Sequence, residues 1–360
     1  MFNSCTEHEF SYENVGENHF VGCKNCDYNE VEEHSFVDGT CICGAQNTVL
    51  NESLSLTPAI SVGAEMQVVY SVRNAQVKDF ERFYIEVVKE VADGESVKTV
   101  FNSEDMEAKF APNGTLAGYS ATYTGIFAME MGDDFTATLY AVDSAGKLHY
   151  GPSATTSIKS YLMAKLEDER AILELKALAV DMLNYGASAQ VNFHYNVNNL
   201  VNADLTDTQK AFGTQQSPSA NDHIVQSGEG STINASVSLQ SKVLLYISCS
   251  YTSNESSKLE FVVRNALTGK ELERFTPNLV TKNICQGIYG NVAAQQMREL
   301  ITVELYDNGR LVSRTLTWSV ESYVAQIRND SSSPETLIEA VNAMLAYGDS
   351  AARYFDASGQ

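Results

Sequence analysis

Cysteine and histidine residues cluster at the start of the sequence. Five of the seven cysteines and three of the six histidines fall within the first 43 residues. They are, in chain order, Cys5, His8, His19, Cys23, Cys26, His34, Cys41 and Cys43. Thiolates and imidazoles are the ligands that zinc prefers, and eight of them divide into two tetrahedral sets of four. We therefore predict two zinc ions in closed, structural sites.

The spacing of the cysteines is typical of tight metal-binding turns. Cys23-x2-Cys26 and Cys41-x-Cys43 each place two thiolates on one turn, and Gly44 can adopt the left-handed backbone that such a turn requires. These four cysteines form one candidate set, and the other set is Cys5, His8, His19 and His34. A cross-braced exchange of ligands between the two sets is equally compatible with the spacing.

Two alternatives to structural zinc have weaker support. A disulfide knot would leave one of five cysteines unpaired and would give the three histidines no role. A catalytic zinc keeps three protein ligands and an open position, whereas this segment supplies full sets for two ions. Because so short a segment buries little apolar area, we expect the metal to supply most of its folding free energy.

The charge balance excludes some classes of partner. Lysine and arginine number 24 against 46 acidic residues, which gives a net charge of -22. Such a surface repels nucleic-acid phosphates and anionic lipids. The sequence has no apolar stretch of about 18 residues and no basic and apolar leader at Met1. We expect neither nucleic-acid binding nor membrane insertion, and either a cytoplasmic protein or a mature fragment of an exported one.

The remainder of the chain repeats itself. The segment 182–193 matches the segment 344–355 at an offset of 162, and Ser160 and Tyr161 match Ser322 and Tyr323 at the same offset. Upstream, the alignment pairs 70–72 with 246–248, 54–56 with 237–239, and Cys285 with Tyr123. Self-similarity over this length predicts two versions of one domain.

Each copy begins with a strand pattern and ends with a helix pattern. Apolar residues alternate with period two, and turn signals such as Pro112-Asn113-Gly114 and Asp307-Asn308-Gly309 separate the runs. The predicted strand positions are Leu54/Leu56, Val68/Tyr70/Val72, Phe83/Ile85/Val87 and Thr138/Tyr140/Val142, then Val237/Leu239, Leu245/Ile247/Cys249, Phe261/Val263 and Val303/Leu305. Apolar residues recur with helical spacing from Ile172 onward in the first copy and from Leu337 onward in the second. Gly186 and Gly348 lie inside these predicted helices and predict close backbone packing beside Tyr185 and Tyr347.

These patterns predict a mainly β fold with α-helices. We expect a small zinc-ribbon-like module at 1–47, then two tandem Ig-like antiparallel β-sandwich domains at 48–216 and 231–360. Each sandwich ends in an amphipathic helix or helical hairpin. The stretch 217–230 is predicted to be the linker.

The motifs resemble those of a known class of proteins. The pattern CxxH…HxxxCxxC…HxFxxGxCxCGA, here Cys5 to Ala45, resembles zinc-ribbon-like modules of multi-modular surface proteins from gut clostridia. The blocks 125–131, 137–141, 182–190 and 202–206 resemble a repeat of the same proteins, and the second copy departs from it at 303–306 and at Asp349. The resemblance implies an extracellular protein with sandwich domains for display or attachment. It transfers no catalytic residues.

The sequence shows no catalytic motif. His149, His194 and His223 have no spacing that recruits a nucleophile or metal, and GxSxG, P-loop and GxGxxG patterns are missing. The single tryptophan, Trp318, follows the face of Leu316 and Val320, which favours burial over display to a sugar. Cys249 and Cys285 fall at predicted buried strand positions, which favours reduced thiols, although a bond between them is compatible with the sequence.

The sequence is compatible with three functions. The leading one is a non-catalytic extracellular or cell-surface binding or adhesion protein, with a host or bacterial protein, such as immunoglobulin or mucin, or a glycan as ligand. The second is a structural spacer within a larger surface protein. The third is a zinc-dependent enzyme, which the full ligand sets disfavour.

Overall fold

The computed structural model describes most of the chain. The described residues are 8–15, 18–37, 40–45, 51–62, 65–91, 94, 96–214, 224–239, 243–254 and 256–359. Strands account for 38% of the structure and helices for 26%, so the protein is mainly β as predicted. Cys5 and His223 lie outside the described residues.

The N-terminal module is a three-stranded antiparallel sheet with a small two-stranded ribbon. Its strands are β1 (Phe10–Asn14), β2 (Asn18–Cys23), β3 (Asn29–Glu33), β4 (Phe36–Val37) and β5 (Thr40–Cys41). The sheet has the order β1-β2-β3, and β4 pairs with β5. Most side chains of β1 and β3 are exposed, so the module has a very small apolar core.

The first repeat contains two antiparallel sheets. Its strands are β6 (Thr57–Val62), β7 (Met66–Arg73), β8 (Arg82–Glu90), β9 (Ser96–Asn102), β10 (Glu107–Phe110), β11 (Leu116–Tyr123), β12 (Phe135–Val142), β13 (Leu148–Tyr150) and β14 (Ala154–Thr156). One sheet has the order β10-β11-β7-β6, and the other has the order β13-β12-β8-β9 with β14 also on β12. The sheets face each other through aromatic side chains: the ring centroids of Phe83 and Tyr119 lie 4.9 Å apart, and those of Tyr123 and Phe135 lie 5.1 Å apart.

The second repeat has the same plan. Its strands are β15 (Val225–Ser227), β16 (Ile233–Leu239), β17 (Val243–Cys249), β18 (Leu259–Asn265), β19 (Glu271–Phe275), β20 (Leu279–Val280), β21 (Cys285–Tyr289), β22 (Ile301–Asp307), β23 (Arg310–Leu311) and β24 (Thr315–Trp318). The sheets have the orders β16-β17-β21-β20 and β15-β24-β22-β18-β19, with β23 also on β22. Asn308 and Gly309, both with positive φ, form the predicted hairpin turn between β22 and β23.

Each repeat ends in a pair of helices. The helices of the chain are α1 (Asn74–Val77), α2 (Ile158–Glu167), α3 (Leu173–Phe193), α4 (Asp207–Lys210), α5 (Val320–Asn329) and α6 (Glu335–Ser358). Ser157 caps α2 by accepting a hydrogen bond from the Ser160 amide, and Ser319 caps α5 in the same way through Ser322. Matching caps at matching positions confirm the predicted helical ending of both copies. In the described part of the chain, no helix is long and apolar enough to cross a bilayer.

Three details of the sequence-based prediction were wrong. Leu54 and Leu56 are buried but precede the first strand of the repeat. Residues 225–227 form β15 on β24, so this part of the predicted linker belongs to the second repeat, and 217–223 lie outside the described residues. The upstream alignment was wrong as well: its pairing of 70–72 with 246–248 is one residue out of register, as Tyr70 is fully buried while Tyr246 is 38% exposed.

The sheet registers give the correct alignment of the two copies. Tyr123 lies opposite Val68, and Tyr289 lies opposite Leu245, so Tyr289 occupies the position of Tyr123. By the same register, Cys285 corresponds to Tyr119 and not to Tyr123. The error for Cys285 is four residues, which keeps the same face of the strand, whereas the error of one residue at 70–72 turns each side chain to the opposite face.

The long helices of the two repeats, α3 and α6, pack against each other. The rings of Tyr185 and Tyr347 stack between them with centroids 6.0 Å apart and planes 13° apart. These tyrosines occupy equivalent positions in the two copies, so each helix contributes the same residue of its repeat to this contact.

Gly186 allows the first repeat to close against α3. A Cβ atom at this position would lie 2.8 Å from Val201 Cγ2, 2.9 Å from Met131 Sδ and 3.1 Å from the Ala128 carbonyl oxygen. Ala128 lies in the 3-10 turn Ala128–Glu130, Met131 follows that turn, and Val201 lies in the chain after α3. The predicted close packing at this glycine is confirmed.

Gly348 has the same role in the second repeat. A Cβ atom here would lie 2.8 Å from Met297 Sδ and 3.0 Å from the Ala294 carbonyl oxygen, in the equivalent 3-10 turn. The absence of a side chain is therefore a packing requirement of the repeat, and it outweighs the helix-propensity cost of glycine of about 1 kcal/mol.

We expect Gly186→Ala to lower the free energy of unfolding by about 1 to 2 kcal/mol, because overpacking costs about 1 to 3 kcal/mol and alanine recovers up to about 1 kcal/mol of helix propensity. Denaturant unfolding of the full chain measures this change. Ser188→Ala, a half-buried position on the same helix, is the control and should change stability by less than about 0.5 kcal/mol. A Gly186→Ala protein as stable as the control would contradict the packing role.

Candidate metal centres and polar cleft

Four of the predicted ligands converge at one end of the N-terminal module. His19, His34, Cys41 and Cys43 have ligand atoms that all lie within 4.8 Å of one another. His19 is the second residue of β2, and His34 follows β3. Cys41 and Cys43 flank a turn in which the Gly44 amide donates a hydrogen bond of 2.8 Å to the Cys41 carbonyl. Gly44 has φ of +84°, as predicted for this turn.

A second group forms at the other end of the same sheet. His8, Cys23 and Cys26 also have their ligand atoms within 4.8 Å of one another. The Cys23 amide donates to the Tyr28 carbonyl at 3.0 Å, and the Asn25 amide donates to Cys23 Sγ at 3.4 Å, which shapes the Cys23–Cys26 turn. The Lys24 amide donates to the Glu9 carbonyl at 2.9 Å and thereby brings His8 beside this turn.

The distances between ligand atoms match tetrahedral coordination. Bonds of about 2.3 Å to sulfur and about 2.0 Å to nitrogen, at the tetrahedral angle, place the two ligand atoms about 3.5 Å apart. The observed Nδ1 to Sγ distances are 3.5 Å for His19 and Cys41, 3.4 Å for His34 and Cys43, and 3.7 Å for His8 and Cys26. The donor set of thiolates and imidazoles is the one that zinc prefers, so both groups fit a zinc ion.

The two groups are separate sites. His19 and Cys23 lie at opposite ends of β2, four residues apart, which at about 3.3 Å per residue separates the groups by about 13 Å. Two metals that share a ligand lie only about 4 Å apart. Each group is therefore a separate candidate site for one ion, at its own end of the small sheet.

One carboxylate lies next to a candidate ligand, outside the site. Glu32 lies opposite His19 in the β2–β3 register, and its Oε2 is 3.7 Å from His19 Nε2. Since Nδ1 of His19 faces Cys41, the Nε2 side of the ring is left for the carboxylate. A metal-bound histidine held through its second nitrogen keeps its orientation and becomes a better ligand.

One thiol at each site has a lowered pKa. Burial raises the pKa of Cys23, but hydrogen bonds from the Asn25 amide and from His8 outweigh this effect and lower the pKa to about 6. For Cys41, burial is likewise outweighed, here by the Cys43 amide and His34, and the pKa is again about 6. Near neutral pH these thiols are thus largely ionised, which is the form that binds metal.

The ligand pairing differs from the simplest grouping in the sequence. The four cysteines do not share one site; each cysteine turn combines with histidines, so the structure adopts the exchanged arrangement. None of the six described cysteines is in a disulfide. The predicted fourth ligand of the second group, Cys5, lies outside the described residues.

A polar cleft lies at one end of the second repeat. It has a volume of about 640 Å³, and its walls come from the chain that leads from β17 into β18, from Thr276 and Val280 of the β19–β20 segment, and from the β22–β23 turn. The lining residues include Ser253, Asn254, Ser257, Lys258, Glu260 and Asn308. Tyr251 and Ser257 each donate a hydrogen bond of 2.9 Å to Asp307 Oδ2, which ties the loop to the hairpin. The sequence pattern contained no signal for this cleft, because its residues come from three separate loops.

The remaining residues considered in the sequence, His149, His194 and Trp318, have roles in local structure or in the core. His149 Nε2 lies 2.9 Å from Asp143 Oδ2, in the turn before β13. His194 has a left-handed conformation and ends α3. Trp318 is 2% exposed, which confirms its predicted burial. None of these side chains forms a metal group in the described part of the chain.

Comparisons with known proteins add little. No family model matches the chain, and no curated protein matches it. One solved structure, described as "Structural basis of neurohormone perception by the receptor tyrosine kinase Torso", is similar at 6% identity over 76% of this chain and 74% of that chain, with a TM-score of 0.17. A likeness this weak supports no inference about fold or function.

We expect Cys43→Ala to reduce bound zinc from two ions per chain to one, because it removes a ligand from the His19 group and leaves the distant His8 group intact. Native mass spectrometry of the zinc-loaded chain measures the stoichiometry. Cys249→Ala, which removes a cysteine from the second repeat, should retain both ions. Loss of both ions in Cys43→Ala, or of neither, would refute two independent sites.

We expect Glu32→Gln to weaken zinc binding at the His19 group by on the order of 10-fold, because the amide is a poorer acceptor for the second ring nitrogen of His19. Competition titration with a zinc chelator measures the affinity of each site. Glu33→Gln, the exposed neighbour, is the control and should bind zinc as the unmodified protein does. Equal affinities in the two variants would rule out this role of Glu32.

Proposed function

We propose that this protein is a non-catalytic binding protein that acts outside the cell and attaches to glycans, free or carried on host glycoproteins such as mucins. The observation that carries the proposal is the polar cleft of the second repeat. Its hydroxyl, amide and charged side chains suit the dense hydroxyl groups of a sugar. A binding face made of loops on a rigid scaffold is common in β-sandwich proteins.

The metal groups support a structural role for the ions within this proposal. They close the two ends of a small sheet that has little apolar core, so their binding free energy supplies its stability. The resemblance to modules of clostridial surface proteins, the Ig-like character of the sandwiches and the strong negative charge are consistent with display in an aqueous, extracellular setting.

Lys258 provides the most informative variant. Its side chain is exposed and lines the cleft at the start of β18. Arg82 occupies the equivalent exposed position of the first repeat, at the start of β8. The residues that follow Arg82 and Lys258 are Phe83 and Leu259, and these pair with equivalent positions of β12 and β22. Lys258→Glu and Arg82→Glu therefore make the same charge change in matched surroundings.

We expect the chain to bind members of a glycan array or a mucin fraction. Lys258→Glu should weaken that binding at least about 10-fold, because a hydrogen bond from a charged group is worth about 1.5 to 3 kcal/mol, and Arg82→Glu should leave it within about twofold. Biolayer interferometry on immobilised ligand measures the affinities. Equal losses in both variants would remove the cleft from the proposal. Absence of binding to every glycan and host fraction would overturn the binding function and leave the spacer role.

Chelation separates the structural role of zinc from a catalytic one. Removal of zinc should unfold the N-terminal module while the two repeats keep their thermal transition and ligand binding. Zinc-dependent turnover of a bound glycan by the folded chain would instead favour the alternative function, a zinc-dependent enzyme.

A further inference from the structure

Cys249 and Cys285 form a matched pair inside the second repeat. Cys249 ends β17, Cys285 begins β21, and the two residues are directly opposite in the antiparallel register. Their exposed fractions are 0% and 1%, so both side chains face the space between the sheets. Residues on the same face at opposite positions are the closest cross-strand neighbours in a sheet.

The pair has the geometry of a disulfide site. Directly opposite residues of antiparallel strands have Cα atoms about 4.5 to 5.5 Å apart, within the range of about 4.4 to 6.8 Å that disulfides span. The Cys285 thiol donates a hydrogen bond of 3.6 Å to the Cys249 carbonyl oxygen, so its sulfur lies beside the backbone of its partner. A bond between the sulfurs thus requires side-chain rotation without separation of the strands.

The first repeat shows that the fold does not require this pair. Val72 and Tyr119 occupy the corresponding opposite positions there. Two apolar side chains of different size therefore fill the equivalent space, and packing alone gives no reason for two cysteines in register. The pairing of thiols at both positions in one copy is the feature that needs a separate explanation.

We propose that Cys249 and Cys285 form an intramolecular disulfide that clamps β17 to β21. The bond forms by exchange with a small disulfide: one thiolate attacks RSSR and releases one RSH, and the second thiol displaces the other RSH as the Cys249–Cys285 bond closes. A dithiol reverses the same steps. Because both sulfurs are buried in the folded sheet, the exchange occurs while the two strands are assembling or transiently separated.

The bond would also hold the loops that continue from these strands. Beyond the pair, Thr252 Oγ1 donates to Asn283 Oδ1 at 3.5 Å and Ser253 Oγ donates to the Thr281 carbonyl at 3.4 Å. Ser253 lines the polar cleft. The disulfide therefore fixes one wall of the cleft, and this consequence alone rests on the proposed function; the bond itself does not.

The experiment uses the full chain with excess zinc in every buffer, because unfolding releases the metal and refolding in zinc engages the cysteines of the N-terminal module again. The protein is unfolded and refolded in a buffer of oxidised and reduced glutathione, and a second sample is refolded in dithiothreitol. In the glutathione sample, we expect peptide mapping to find a Cys249–Cys285 peptide lighter by two hydrogen atoms than the reduced peptides together. The second repeat should melt several degrees higher in the glutathione sample than in the dithiothreitol sample.

Cys249→Val, which introduces the residue of the first repeat, is the matched control. This variant should fold in both buffers, and its melting temperature should be the same in both. The proposal is overturned if both cysteines of the unmodified protein are alkylated as thiols after oxidative refolding, or if they are found paired only with other cysteines. Cys249→Val showing the same difference in melting temperature as the unmodified protein would also overturn it.

Discussion

The contact between α3 and α6 is the interaction on which the arrangement of the two repeats depends. Each helix packs on its own repeat through a glycine, Gly186 or Gly348, that admits a 3-10 turn against the helix backbone. The outer sides of the same helices then meet at the stacked Tyr185 and Tyr347. A substitution at either glycine would move the helix from its sheet and also displace the tyrosine that joins the copies, so intra-repeat and inter-repeat packing are coupled.

The N-terminal module is stabilised in a different way. Its strands expose most of their side chains, and the groups that hold it together are the thiols and imidazoles at the two ends of β2. A metal ion at each end would replace the apolar core that a sheet of this size lacks. The chain thus combines a small module that carries two candidate metal sites and two repeats that have buried apolar cores.

The two repeats have diverged at their buried polar positions while they retain the same backbone. In the first, Lys89 donates to Glu130 Oε1 at 2.7 Å, and Glu130 Oε2 accepts from the Phe127 amide at 3.0 Å. In the second, Gln296 occupies the place of Glu130 in the equivalent 3-10 turn. The second repeat also has its own cysteine pair and a polar cleft, which makes it the more specialised copy.

The amino-acid sequence by itself determined the ligand types, the two repeats, and most strands and helices. These features depend on local spacing: Cys23-x2-Cys26 fixes one turn, and apolar periodicity selects strand or helix. The tertiary structure alone decided which histidines join which cysteines, because His19 meets Cys41 only through the register of β2 and the ribbon that follows. It also decided the correct alignment of the copies, where a one-residue shift exchanges buried and exposed faces, and the cleft, whose walls are distant in sequence.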